Sequence, residues 1–190
     1  MSRAKPLFSA YGIEIEYMIV DRDTLRVLPV ADKLLAAAAR QEGVADVDMG
    51  ALTWSNELVN HVLEMKVSKP AKSLVGLAGQ FAEGVAMADA LLAPLNGRLM
   101  PTGAHPFMNP QSETVLWPHE YGEIYKAFDA VFDCKGHGWS NLQSMHINLP
   151  FRGDEEFARL HAAIRVLLPI MPALAASTPL LDGKATGFLD

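Results

Sequence analysis

The chain has 190 residues, half of them apolar, and a mean hydropathy of +0.12, so it can bury one substantial core and is not a disordered segment. Sixteen Lys+Arg against 22 Asp+Glu give a formal charge of -6, which argues against a sequence-independent grip on a nucleic-acid backbone. The single cysteine, Cys134, cannot close an internal disulfide and fits a reducing cytoplasm. The apolar run at 166–174 is cut by Pro169 and Pro172 and is far shorter than the roughly 20 residues of a membrane span, and residues 1–9 lack the apolar stretch of a signal peptide.

Residues 8–21 alternate around Ile13, Ile15 and Tyr17 and are rich in β-branched and aromatic side chains, which predicts a strand. A turn at 21–24 leads to a hairpin partner at 25–28. Pro29 then opens an Ala/Leu-rich helix over 31–41 that Gly43 stops. Asp46, Val47 and Asp48 alternate as a short strand. Over 52–67, Val59, Val62 and Val67 favour a strand whereas Leu58, Val62 and Met65 recur at helical spacing; two strands broken near Asn60 and His61 are expected. The longest helical pattern starts at Pro70 and carries Leu77, Phe81, Val85, Ala88 and Leu92 on one stripe until Pro94. Residues 99–110, punctuated by Pro and Gly, leave a short strand and become a surface loop. A short helix at 121–132, a break at 136–138, an alternating strand at 142–151 and a helix from the acidic 154–156 to about Leu168 complete the pattern. With no repeat or linker, the chain is one domain or part of one.

Three pairs of polar residues stand out. Glu14 and Glu16 leave the same face of the first strand, within about 7 Å of each other. An isolated Glu-x-Glu is usually the wet face of an edge strand; here the flanking Gly12, Tyr17 and Met18 and the apolar opposite face speak against that. Glu57 and Glu64, seven apart, would point to opposite faces of an unbroken strand, but a bend brings them to one site; a helix with both on its wet side is the alternative. Their neighbours are apolar, and carboxylates in such a run are costly to bury unless paired or metal-bound. His146 and Asn148 share a strand face and offer one metal ligand and one hydrogen-bonding amide, against the plainer reading of a hydrogen-bonded structural histidine. Four carboxylates and a histidine suit Mg²⁺ or Mn²⁺ better than structural zinc. No P-loop or Gly-x-Gly-x-x-Gly cradle is present.

Gly-Ile-Glu-Ile-Glu-Tyr at 12–17, Glu57 with Glu64 in the run 56–66, Pro-Thr-Gly-Ala-His-Pro-Phe at 101–107 and Ser-Met-His-Ile-Asn-Leu-Pro at 144–150 resemble, in order and spacing, the glutamate-cysteine ligase and carboxylate-amine ligase family. The resemblance implies an α+β, glutamine synthetase-like fold: a curved antiparallel sheet with helices packed on one face. It further implies Mg²⁺ or Mn²⁺ held by Glu14, Glu16, Glu57, Glu64 and His146, with ATP as co-substrate, Asn148 facing the substrate, and Thr102, Gly103 and His105 bordering an acceptor pocket. His-x-Asn at 146–148 is closer to the glutamate-cysteine ligases than the His-x-His of generic carboxylate-amine ligases, which favours cysteine as the amine.

The implied reaction joins a glutamate γ-carboxylate to an amine through an acyl phosphate. It needs positioning and charge neutralisation, with no catalytic side chain beyond the metal ligands and Cys134 as a structural residue. Members of the family are about twice this length, so residues 1–190 are expected to form the N-terminal part of one catalytic domain, lacking a later metal-ligating glutamate and a phosphate-binding arginine. The alternatives are a metal- and nucleotide-binding fragment without turnover and a non-catalytic interaction domain with a solvated acidic face. The expected partners are small molecules, with no nucleic acid, no membrane and a possible homo-oligomer.

Overall fold

The computed structural model describes residues 4–187. In chain order the elements are β1 (Gly12–Asp21), α1 (Ala31–Ala39), β2 (Asp46–Asp48), β3 (Leu52–Asn56), β4 (Val62–Val67), α2 (Leu77–Leu92) and β5 (Gly97–Met100). They continue with α3 (Pro110–Glu113), α4 (Gly122–Phe132), α5 (His137–Ser140), β6 (Met145–Asn148), α6 (Gly153–Leu167), α7 (Met171–Ala175), β7 (Leu180–Leu181) and β8 (Lys184–Ala185). No helix among the described residues is long and apolar enough to cross a membrane.

Six strands form one antiparallel sheet in the order β2-β3-β4-β1-β5, with β6 also on β1. The ten residues of β1 make this possible. One edge runs along β4 from Glu14 to Met18, while the other is divided: Gly12 to Ile15 pair with β6 and Met18 to Asp21 with β5.

Alternation then sorts the side chains. Ile13, Tyr17 and Ile19 join Trp54, Leu63, Met65 and Leu99 in a core that also takes Leu34 and Leu35 of α1 and Leu77, Phe81, Ala88 and Leu92 of α2. The other face of β1 changes character along its length. Glu14 and Glu16 come first; Met18 and Val20 follow and are capped by Met108 in a small second core. The loop between β5 and α3 thereby seals one end of the polar face.

The sheet and its covering helix are as the sequence predicts, including the break between β3 and β4. Several details differ: the first strand starts at Gly12 instead of residue 8, the loop expected at the surface over 99–110 buries Ala104, His105 and Met108, and a short helix and a hairpin follow α6 where no element was expected. The hairpin partner at 25–28 is reduced to a single bridge, Val20 with Val27. The long helix starts at Leu77, not Pro70, because Ala71 instead exchanges backbone hydrogen bonds of 2.8 Å with Tyr11 and Gly76, at φ 89, breaks the helical path. Residues 137–140 form a short helical turn where a break was expected.

The apolar cover also stops short. Ile13 is buried, but Met145 and Ile147 of β6 remain 61% and 56% exposed. The neighbouring α6 carries Phe157, Ile164 and Leu167 at helical spacing, with Leu168 at its C-cap, yet buries none of its residues. A helix of this kind normally draws its stability from packing an apolar stripe.

Two glycines of α2 separate packing from propensity. A Cβ at Gly84 would meet Leu52 Cδ1 at 2.8 Å and Met65 Sδ at 3.2 Å, whereas one at Gly79 meets nothing within 4 Å. Gly79→Ala should therefore raise stability by roughly 0.5–1 kcal/mol. Gly84→Leu should lower it by on the order of 2 kcal/mol through overpacking. Denaturant midpoints at unchanged m-value check both.

Candidate metal-binding site

Register alone assembles the polar face. Glu16 stands opposite Glu64 across β1 and β4, Glu64 opposite Ser55 on β3, and Glu14 lies between Lys66 on one side and His146 on the other. Glu57 lies one residue beyond β3, at the start of the connection to β4, so the bend that the sequence requires is the hairpin between them. Asn56 Nδ2 donates to the Glu57 carbonyl at 3.1 Å and to Tyr125 Oη at 3.2 Å, which fixes the bend.

Two overlapping triads result. Ligand atoms of Glu14, Glu64 and His146 lie within 4.8 Å of one another, and so do those of Glu16, Glu57 and Glu64. Glu64 belongs to both. All five residues expected as ligands are thus gathered on one face.

Four of these side chains, those of Glu14, Glu16, Glu64 and His146, are held by neighbours. Ser144 gives its backbone N–H to Glu16 Oε2 at 2.9 Å and its hydroxyl to Glu16 Oε1 at 2.7 Å. The same hydroxyl lies 3.1 Å from His146 Nε2. His146 Nδ1 reaches Glu14 Oε2 at 3.0 Å, and Asn148 Nδ2 donates to Glu14 Oε1 at 3.0 Å. Gly12 faces Asn148 across β1 and β6, where a Cβ would come within 3.0 Å of Asn148 Cβ. Ser55 Oγ donates to Glu64 Oε1 at 2.7 Å, and Lys66 Nζ donates to the same oxygen at 2.9 Å. Lys66 also reaches Ser55 Oγ at 2.9 Å and Asp46 at 3.4 Å. Ser144, Ser55 and Lys66 were not among the expected site residues. Ser55 and Lys66 carry a readable signal, since both fall on the face of Glu64 once the β3–β4 register is known.

The loop residues have a different place. His105 is fully buried: Nε2 donates to the Leu25 carbonyl at 2.7 Å, and Nδ1 accepts from Phe107 N at 3.2 Å. Its backbone is clamped by Asn141, whose side chain bonds both His105 N and His105 O. The ring therefore builds the loop from inside. Gly103 lies where a Cβ would come within 2.7 Å of Ser177 Oγ, and the buried Thr102 hydroxyl has no hydrogen-bond partner among the described residues. None of the three belongs to either triad. Cys134 is buried, and burial together with Asp129 and Asp133 pushes its thiol pKa up, away from reactivity.

Burial, reinforced by the charges of Glu16 and Glu64, raises the Glu57 pKa from its ordinary 4.5 to about 7. Folded Glu57 thus keeps its proton at pH values where the unfolded chain has lost it. Its contribution to stability is complete below 4.5 and disappears as pH rises through about 7. In EDTA, the wild type should lose on the order of 2 kcal/mol relative to Glu57→Gln across that window. Paired urea titrations at the two ends of the window measure the difference; parallel pH profiles would contradict the assignment.

A family model described as glutamate-cysteine ligase family 2 (GCS2) matches residues 10–190. A protein of Archaeoglobus fulgidus is 35% identical over 175 residues, covering 92% of this chain and 46% of its own length. One from Rubrobacter xylanophilus, named "Putative glutamate--cysteine ligase 2-3", is 24% identical over 180 residues, with 92% and 45% covered. Among solved structures, a glutamate-cysteine ligase from Francisella tularensis in complex with AMP superposes with a TM-score of 0.53 at 14% identity, over 86% of this chain and 31% of that one; the likeness is one of fold. The chain spans about half the length of the curated relatives it matches. Matched over all but its first nine residues, it belongs to glutamate-cysteine ligase family 2.

Proposed function

We propose that residues 1–190 supply the N-terminal, metal- and nucleotide-holding part of an ATP-dependent ligase that joins the γ-carboxylate of glutamate to an amine, with cysteine as the acceptor. The observation that carries this reading is the pair of carboxylate triads sharing Glu64 on one sheet face. The donors are oxygen-rich with a single imidazole, which fits Mg²⁺ or Mn²⁺. Family membership supplies the reaction class.

Bound divalent ions would supply neutralisation of phosphate charge. The chain's own residues orient the ligands: Ser144 holds both oxygens of Glu16, Asn148 and His146 hold those of Glu14, and Ser55 holds one of Glu64. The substrate carboxylate attacks the γ-phosphorus of ATP, the bond to ADP breaks, and the amine then displaces phosphate from the acyl phosphate. Neither step requires a protein nucleophile, in keeping with a face that offers carboxylates, hydroxyls and an amide.

Two observations favour a larger catalytic domain over a self-sufficient unit. The relatives are about twice as long as the matched region, and β6 and α6 present apolar side chains that residues 4–187 leave about half exposed. The remainder of the ligase domain is the occupant this reading assigns to that surface.

Calorimetric titration with Mn²⁺ tests the site. Wild type should bind at millimolar concentration or better, and Glu64→Gln should weaken binding more than Glu14→Gln or Glu16→Gln, because Glu64 serves both triads; equal binding by all four proteins would sink the assignment. Residues 1–190 alone should release ADP from ATP, glutamate and cysteine no faster than background, since loss of charge stabilisation at the γ-phosphate typically costs on the order of 10³-fold or more. Full cysteine-dependent turnover by this chain would overturn the partial-domain reading.

A further inference from the structure

Lys66 is the cation already bonded to the shared carboxylate. It reaches Glu64 Oε1 and Ser55 Oγ at 2.9 Å each, forms a further ion pair with Asp46, 3.4 Å away on β2, and stands opposite Glu14 across β1 and β4. The environments of the two carboxylates differ sharply: the Glu64 side chain is 9% exposed and that of Asp46 is 56% exposed. Burial works against the ammonium charge, but the hydrogen bond to Glu64 and the charges of Glu64 and Asp46 outweigh it and raise the lysine pKa. The lysine side chain has four flexible carbons behind its charge, so it can give up Glu64 while keeping Asp46.

Resting on the metal-site reading above, we infer that Lys66 is an exchange cation: its ammonium satisfies Glu64 in the metal-free site and withdraws toward Asp46 when a divalent ion takes Glu64. Both ligands are cations competing for one buried carboxylate, and a buried carboxylate left without either is costly. The lysine therefore stabilises the empty site and, by the same interaction, lowers the affinity of the filled one. A lysine that only positioned Glu64 for the metal would have the opposite effect on affinity. The two roles are separated by the sign of one measurement.

The test uses Mn²⁺ alone, with Lys66→Met, Lys66→Gln, Lys66→Arg and Glu64→Gln beside the wild type. In EDTA, Lys66→Met should melt below the wild type because Glu64 has lost its partner. Mn²⁺ should then raise its melting temperature by more than it raises the wild type's. Calorimetry should show Mn²⁺ bound up to about fivefold more tightly than by the wild type, the scale of one partly exposed ion pair. Lys66→Gln, which keeps a hydrogen-bond donor, should change affinity in the same direction and stands in if the methionine variant does not fold; Lys66→Arg should stay near the wild type. Unchanged or weaker Mn²⁺ binding by the two uncharged variants, in a protein whose wild type binds and whose Glu64→Gln binds more weakly, would overturn the exchange while leaving the metal site in place. No binding by any of the proteins would overturn both.

Discussion

Glu16 and Glu64 face each other across adjacent antiparallel strands. Like charges in directly opposed positions destabilise a sheet, and here the pair sits beside Glu57 and above a core that includes Trp54 and Met65. Everything polar around them reads as compensation for that one juxtaposition. Ser144 spends a backbone and a side-chain donor on Glu16; Ser55 and Lys66 converge on one oxygen of Glu64; Glu57 holds its proton up to about 7. A cation placed among the three would replace several of these devices at once, which is why a face so arranged is suited to gripping one.

The fold supplies this face through a division of labour along β1. Its odd-numbered residues from Ile13 to Ile19 face the α1 and α2 side throughout. The even-numbered ones serve two purposes, carboxylates of the candidate site at Glu14 and Glu16 and a sealed apolar plug at Met18 and Val20 beneath Met108. The loop that carries Met108 is pinned by His105 to Leu25 and by Asn141 to His105, so its role here is to wall the site with a rigid edge.

Much of this was legible in the residues. Alternation in β1 and β6, the bend between Glu57 and Glu64, and the shared face of Glu14 and His146 follow from period-two patterning and four short motifs. What was not legible depended on partners distant in sequence. Ala71 pairs with Tyr11 and so delays α2, a tertiary contact that no local propensity reveals. His105 has the signature of a pocket residue, yet its ring is spent on Leu25 and Phe107 because a polar group on a buried loop must find local partners. Lys66 reads as an ordinary charge near a strand end until β3 and β4 are placed in register.

The split edge of β1 also sets its partners far apart in the order of synthesis. Its partner β4 and the covering α2 are both translated by Leu92, and β5 follows by Met100, so the main core can close while the ribosome is still adding residues. The donors that satisfy Glu14 and Glu16 arrive much later: His146 and Asn148 are 132 and 134 residues from Glu14, and Ser144 is 128 from Glu16. A chain that folds before residue 144 is made would lack these donors and leave the β1 edge from Gly12 to Ile15 without β6, a situation in which strand edges mispair. Lys66, carried by β4 and bonded to Glu64, is the charge partner of this face that synthesis has by then already delivered.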